Sequence, residues 1–117
     1  MSENIQNFIP VITKEMEAAE AIFDNKTKTN DERQVALGAA DQLNFMLYRI
    51  KQLGLDMEEL LELAFHHRDQ MMMAAKYPVP NKSHDDVMES DGRLNSINWL
   101  IDTMSEIMFD QSTETIH

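Results

Sequence analysis

Apolar residues recur at three- and four-residue steps along most of the chain, which is the period of amphipathic helices. Ile5, Phe8, Ile9, Ile12, Met16, Ala19 and Phe23 form one stripe and predict a first helix over residues 3–24, with Pro10 expected to kink or restart it. A polar loop follows over residues 25–30. Thr29, with Glu32 three positions on, has the form of a capping box for a second helix, and Gly54 after Leu53 stands where a C-cap glycine belongs. Asp56 with Glu59 opens a third helix in the same manner. Met57, Leu60, Leu61, Ala64, His67, Met71 and Ala75 define its stripe until Pro78 and Pro80 forbid continuation. A fourth helix is expected over residues 85–109, carrying Val87, Leu94, Ile97, Ile101, Met104 and Met108 on one side, with Gly92 weakening its first turns.

The second helix differs from the others in having two apolar faces. Ala36, Ala39, Leu43, Met46, Leu47 and Ile50 make one, and Leu37, Phe45 and Tyr48 make the other, the pattern of a central helix packed on both sides. With only three glycines, three prolines and few β-branched residues, the chain favours long helices over many strands. The expected architecture is therefore all-α, a four-helix bundle-like single domain spanning residues 1–117. The apolar stripes are broader than a small monomer needs on its outside, so a dimer or tetramer is expected.

Composition narrows the function classes. Twenty-one acids against ten bases give a formal charge of -11, a surface that repels nucleic-acid backbones and anionic lipids. No apolar run approaches the ~20 residues a membrane span needs. The absence of cysteine removes disulfides, thiolate nucleophiles and sulfur-based zinc sites, and the first ten residues lack the basic segment of a signal peptide, so a cytoplasmic location is expected. No glycine-rich phosphate loop, G-x-S-x-G or H-E-x-x-H motif is present. Two readings fit the charge: carboxylates gathered to hold divalent cations that present an anionic nucleotide, or an acidic surface opposing a basic partner.

Asp41 is the most informative single residue, because it falls between Leu37, Phe45 and Tyr48 on the second apolar face of helix two. A carboxylate in that position must be paired, protonated or metal-bound. A buried salt bridge or a hydrogen bond to a hydroxyl satisfies it as well as a functional role does. Glu15 and Glu20 lie on opposite shoulders of helix one and Glu17 faces away from its stripe. Acids there could hold magnesium, which takes oxygen ligands and keeps some of its waters, or they could be plain solvated charge. His67 lies on the apolar stripe of helix three, where a lone histidine is usually a core or interface residue. His66 diverges from it by about 100 degrees, which argues against a shared metal. Arg68 could fork onto a phosphate or simply pair with an acid. The ten methionines, three of them in succession from Met71, read as adaptable packing.

The stretch from Ala39 to Met71, AADQLNFMLYRIKQLGLDMEELLELAFHHRDQM, resembles the all-α nucleoside triphosphate pyrophosphohydrolases, in particular the phage MazG-like and phosphoribosyl-ATP pyrophosphohydrolase-like branch. In that branch a helix with an E-x-x-D motif runs into an L-G-I-D turn, and the next helix ends in H-R-S-N-M-S-K. Asp41 matches the motif aspartate, Leu53, Gly54, Leu55 and Asp56 match the turn, and His67, Arg68 and Met71 match three positions of the last motif. The stretch VITKEMEAAEAI is similar to the first-helix pattern L-I-x-E-E-x-x-E, with Glu15 on the second glutamate. Lys14, Ala18 and Gly38 stand where the other three glutamates belong, Gln70 where the asparagine does and Met73 where the lysine does. A shifted register would use Glu17 and Glu20 instead, at the expense of the aliphatic match. The resemblance covers about residues 5–75 and leaves helix four without a counterpart.

The resemblance implies hydrolysis of a nucleoside triphosphate to monophosphate and pyrophosphate, assisted by Mg2+ or by Mn2+ in its place. It points to Glu15 and Asp41 as metal ligands, with Glu20 as a substitute, and to Arg68 and His67 as contacts of the nucleotide. With two of four carboxylates missing, metal binding should be weakened unless Glu17, Glu20, Asp31, Glu32 or a partner subunit replaces them. The expectation from a different class is a catalytically inactive, phage-encoded acidic protein that binds or inhibits a basic host protein acting on nucleic acid or in defence.

Overall fold

The computed structural model describes residues 3–77 and 79–116, with side chains over residues 4–77 and 79–109. Four helices follow one another: α1 Glu3–Asp24, α2 Asn30–Leu53, α3 Met57–Lys76 and α4 His84–Ile116. No strand occurs among the described residues. Local signals set the boundaries. The Thr29 hydroxyl accepts from the Glu32 amide at 3.1 Å, and Gly54 adopts a left-handed conformation (φ 62°) that returns its N–H to the Ile50 carbonyl. Asp56 and Glu59 form a reciprocal capping box, at 2.9 and 3.2 Å. Pro78, expected to help end α3, lies outside the described residues.

Two helices depart from expectation. α1 runs unbroken through Pro10, whose flanks are held to one core by buried Ile5 and Phe8 before it and Ile12 after it. α4 starts earlier and ends later than its apolar stripe suggests. Ser83 supplies the start, since its hydroxyl accepts from the Asp86 amide at 3.1 Å.

α1 and α2 form an antiparallel hairpin, closed by Arg33, which donates to the Phe23 carbonyl at 2.7 Å and lies over the Phe23 ring. α2 is central, packed between α1 and α4. α2 and α4 run in the same direction, since their contacts advance together: Asn30 donates to Asp85 at 2.8 Å, His84 meets Asp31 at 2.9 Å, and Arg93 reaches Asp41 further along. Between these points the two backbones touch. A Cβ on Gly38 would run into the carbonyl of Glu89, and one on Gly92 into the carbonyl of Val35. Gly92 therefore belongs inside α4 because only a bare Cα fits beneath α2.

The core gathers toward one end of an elongated molecule measuring 52 × 33 × 28 Å. It joins Ile5, Phe8 and Ile12 of α1, Leu43, Met46, Leu47 and Ile50 of α2, Met57, Leu60 and Ala64 of α3, and Ile97, Leu100, Ile101 and Met104 of α4. The expected stripe of α3 is buried only in its first half, with Ala64 the last fully buried side chain and Ala75 exposed. Val87 likewise remains exposed. α3 packs on α4 rather than on α2, leaving Phe45 and Tyr48 of α2 exposed, contrary to the expectation that both faces of α2 pack.

Gly38→Ala tests the crossing. An ordinary helical Gly-to-Ala change gains up to about 1 kcal/mol. Here the methyl must push two backbones apart, so a net loss of about 3 kcal/mol is expected from urea denaturation midpoints. An unchanged or raised midpoint would mean that the backbones are not in contact in solution.

Candidate functional site

The uncovered face of α2 forms the floor of an open groove of about 750 Å³, walled by α1, α3 and α4. Its lining combines Phe45 and Tyr48 with Thr13, Gln42 and Asn44 and with three basic groups, Lys51, His67 and Arg93. Asp41 is the one carboxylate among these lining residues. In a chain of charge -11 this is a local inversion of sign. Arg49 adds to it, lying over the Phe45 ring at 5.7 Å, while the His67 ring meets the same phenyl edge-on at 5.3 Å.

Asp41 is not buried. Its side chain is 50% exposed and meets Arg93 across a 3.5 Å contact. Of the expectation of a buried carboxylate that must be paired, protonated or metal-bound, the pairing is found and the burial is corrected: the neighbours that made its face look interior, Phe45 and Tyr48, are themselves exposed. A half-exposed pair of this kind contributes little to stability.

The groove continues past Asp41, Asn44 and Met16 into a smaller recess lined also by Glu20, Asp24 and Phe23. Glu20 and Asp41 therefore share one recess. Glu15 does not join them: it lines a separate depression with Asp31 and Glu32 that has no lining residue in common with the first. Asp31 there is engaged by His84 and Glu32 by Lys28 at 3.9 Å. Glu17 is exposed on α1. Among the described residues, no three His, Asp or Glu side chains converge as a metal-holding group.

His67 lines the groove, but Arg68 does not; its guanidinium packs over the Phe65 ring of its own helix at 4.9 Å. The Gly38 position, where the resemblance expects a glutamate, faces the backbone of α4 at the crossing. No side chain could project there. Gln42, Lys51 and Arg93 were not singled out from sequence. Gln42 and Lys51 lie half a turn apart round α2 yet both line the groove, so helical spacing gave no sign that they share it; Arg93 comes from the helix that the resemblance does not reach.

Burial, His66 beside it and Arg49 nearby hold the His67 imidazole below its ordinary pKa of 6.5, so it is neutral at pH 7. The unfolded chain then binds more protons at this site than the folded one between the lowered pKa and 6.5, and stability falls as the pH drops through that window. Comparison of the chain with protein-family models, curated proteins and solved structures gives no match.

Two outcomes are expected at this site. Asp41→Asn should shift stability by less than about 1 kcal/mol in a denaturation experiment, as for an exposed pair; a loss of several kcal/mol would restore the buried reading. Between pH 7.5 and pH 5.5 the wild-type Tm should fall further than that of His67→Gln. Equal slopes would show that His67 carries no such proton linkage.

Proposed function

We propose that the chain is a MazG-like nucleotide-binding protein with an altered metal site, related in its chemistry to the nucleoside triphosphate pyrophosphohydrolases. One observation carries this reading: a groove in which aromatic rings, Phe45 and Tyr48, lie beside Lys51, His67 and Arg93, and which opens at Asp41 onto a recess holding Glu20. The rings suit a base, the cations Lys51 and Arg93 suit phosphates, the neutral His67 can add a hydrogen bond, and Asp41 and His67 are two of the positions on which the resemblance rests. Asp41, Glu20 and Asp24 line that recess, and among the described residues no three such groups converge as a resident metal cage. Asp41 and Glu20 do suit a magnesium ion that arrives on the nucleotide, because magnesium is commonly held by one or two carboxylates together with substrate phosphates. Magnesium so bound would neutralise phosphate charge and activate water for attack. Asp41 and Glu20 would orient it, and Arg93, now paired with Asp41, would be free to turn to phosphate. Exposed Phe65, Met72, Met73, Tyr77 and Val79 along α3 and beyond it suit a homo-oligomer.

The second reading, a phage-encoded acidic interaction protein without catalysis, is favoured by the exposed acids Glu17, Glu20 and Asp24 along one side of α1. Such a complex with a basic protein would weaken steeply with salt.

The test is thermal stabilisation and pyrophosphate release with a panel of ribo- and deoxyribonucleoside triphosphates plus magnesium or manganese. A nucleotide-dependent rise in Tm is expected by mass action, with any pyrophosphate release abolished by Asp41→Ala. No stabilisation of a folded protein at millimolar nucleotide would discard the nucleotide reading in favour of the second.

A further inference from the structure

Gln42 is out of place as a structural residue. It lies on the floor of the groove, only 4% exposed, and its amide nitrogen has no hydrogen-bond partner. A buried amide with an unmade bond lowers stability, and the surrounding fold gains nothing visible from it. The groove supplies the missing context, because Gln42 shares it with Lys51 and Arg93 and with the exposed rings of Phe45 and Tyr48.

We propose that the groove binds a nucleoside monophosphate unit directly, without a divalent metal, with the Gln42 amide donating to an acceptor on the ligand, Lys51 and Arg93 holding the phosphate and an aromatic side chain lying against the base. This rests on the reading of the groove as a nucleotide site and goes beyond it, since it separates binding from metal. Three features support it together. Asp41 is the one carboxylate among the residues that line the groove, Lys51 and Arg93 line it already, and Gln42, buried at its floor, holds an unpartnered amide nitrogen. An amide can present either its nitrogen or its oxygen by rotation about its last bond, so one side chain can serve a phosphate oxygen or a ring atom.

The same residue makes the proposal testable, because its roles in folding and in binding pull in opposite directions. Gln42→Met keeps the length and helix propensity of the side chain and removes the unmade bond. Its Tm should equal or exceed that of the wild type. Calorimetric titration with AMP, GMP, CMP, UMP and dTMP in EDTA should show binding of at least one of them to the wild type, weakened about tenfold or more in Gln42→Met. Lys51→Gln, at an exposed position, should weaken it too, and carries the test should Gln42→Met fail to fold. Binding in EDTA that neither variant disturbs would overturn the proposal. Binding that appears only when magnesium is added would also overturn it while leaving the nucleotide reading in place. Absence of binding with and without magnesium, to monophosphates and triphosphates alike, would remove both.

Discussion

The contact on which this structure depends is the parallel crossing of α2 and α4, where Gly38 and Gly92 let one backbone rest against carbonyls of the other. Helices normally keep their axes some 8–10 Å apart because side chains intervene. Removing the side chain from both at one place draws the pair together. The polar links between Asn30 and Asp85 and between Asp31 and His84 fix the starts of the two helices, and Ile97, Leu100, Ile101 and Met104 then fall opposite Leu43, Met46, Leu47 and Ile50 in the shared core. α1 follows through its short hairpin. α3 is the least constrained of the four, buried only through its first half.

The groove is a consequence of that uneven packing. α3 packs on α4 rather than on α2, which leaves the Phe45, Tyr48 and Lys51 side of α2 facing an opening. α4, drawn close by the glycines, delivers Arg93 to the rim next to Asp41. A chain with twice as many acids as bases thereby collects Lys51, Arg93 and His67 around one opening. Exposed charges separated by more than about 8–10 Å are largely screened at physiological salt, so this local arrangement matters more to a bound anion than the net charge does.

The elements were legible in the sequence wherever a local device sets them. Thr29, Gly54 and the Asp56–Glu59 pair fixed three helix ends because a cap needs only its neighbours. What periodicity cannot convey is which apolar face finds a partner. Leu37, Phe45 and Tyr48 have the spacing of a buried face, but Phe45 and Tyr48 are left open, so Asp41 among them looked interior and is half-exposed. Gly92 looked like a weakness in α4 for the same reason. Its value exists only in the presence of α2. Glu15 and Glu20 were readable as opposite shoulders of one helix, and the structure assigns them to different depressions, so the pair of carboxylates that α1 brings to the Asp41 recess is Glu20 with Asp24 rather than Glu20 with Glu15.

Gly38 joins the fold to the question of function. If the resemblance to the pyrophosphohydrolases reflects descent, the glutamate of E-x-x-D has given way to a glycine whose missing side chain is what allows α4 to lie against α2. The position cannot serve both purposes, since a Cβ there already meets the Glu89 carbonyl and a carboxylate would have to displace the whole of α4. The change is thus coupled to the packing of a helix outside the resemblance rather than being an isolated loss. The same helix brings Arg93 to the groove. Exchange of a fixed carboxylate for a nearby cation reverses the electrostatic logic of the site: a carboxylate cage attracts phosphate through an intervening metal, whereas an arginine can attract it directly. On the nucleotide reading proposed above, the α2–α4 contact and an arginine placed for direct anion recognition are two results of one packing arrangement.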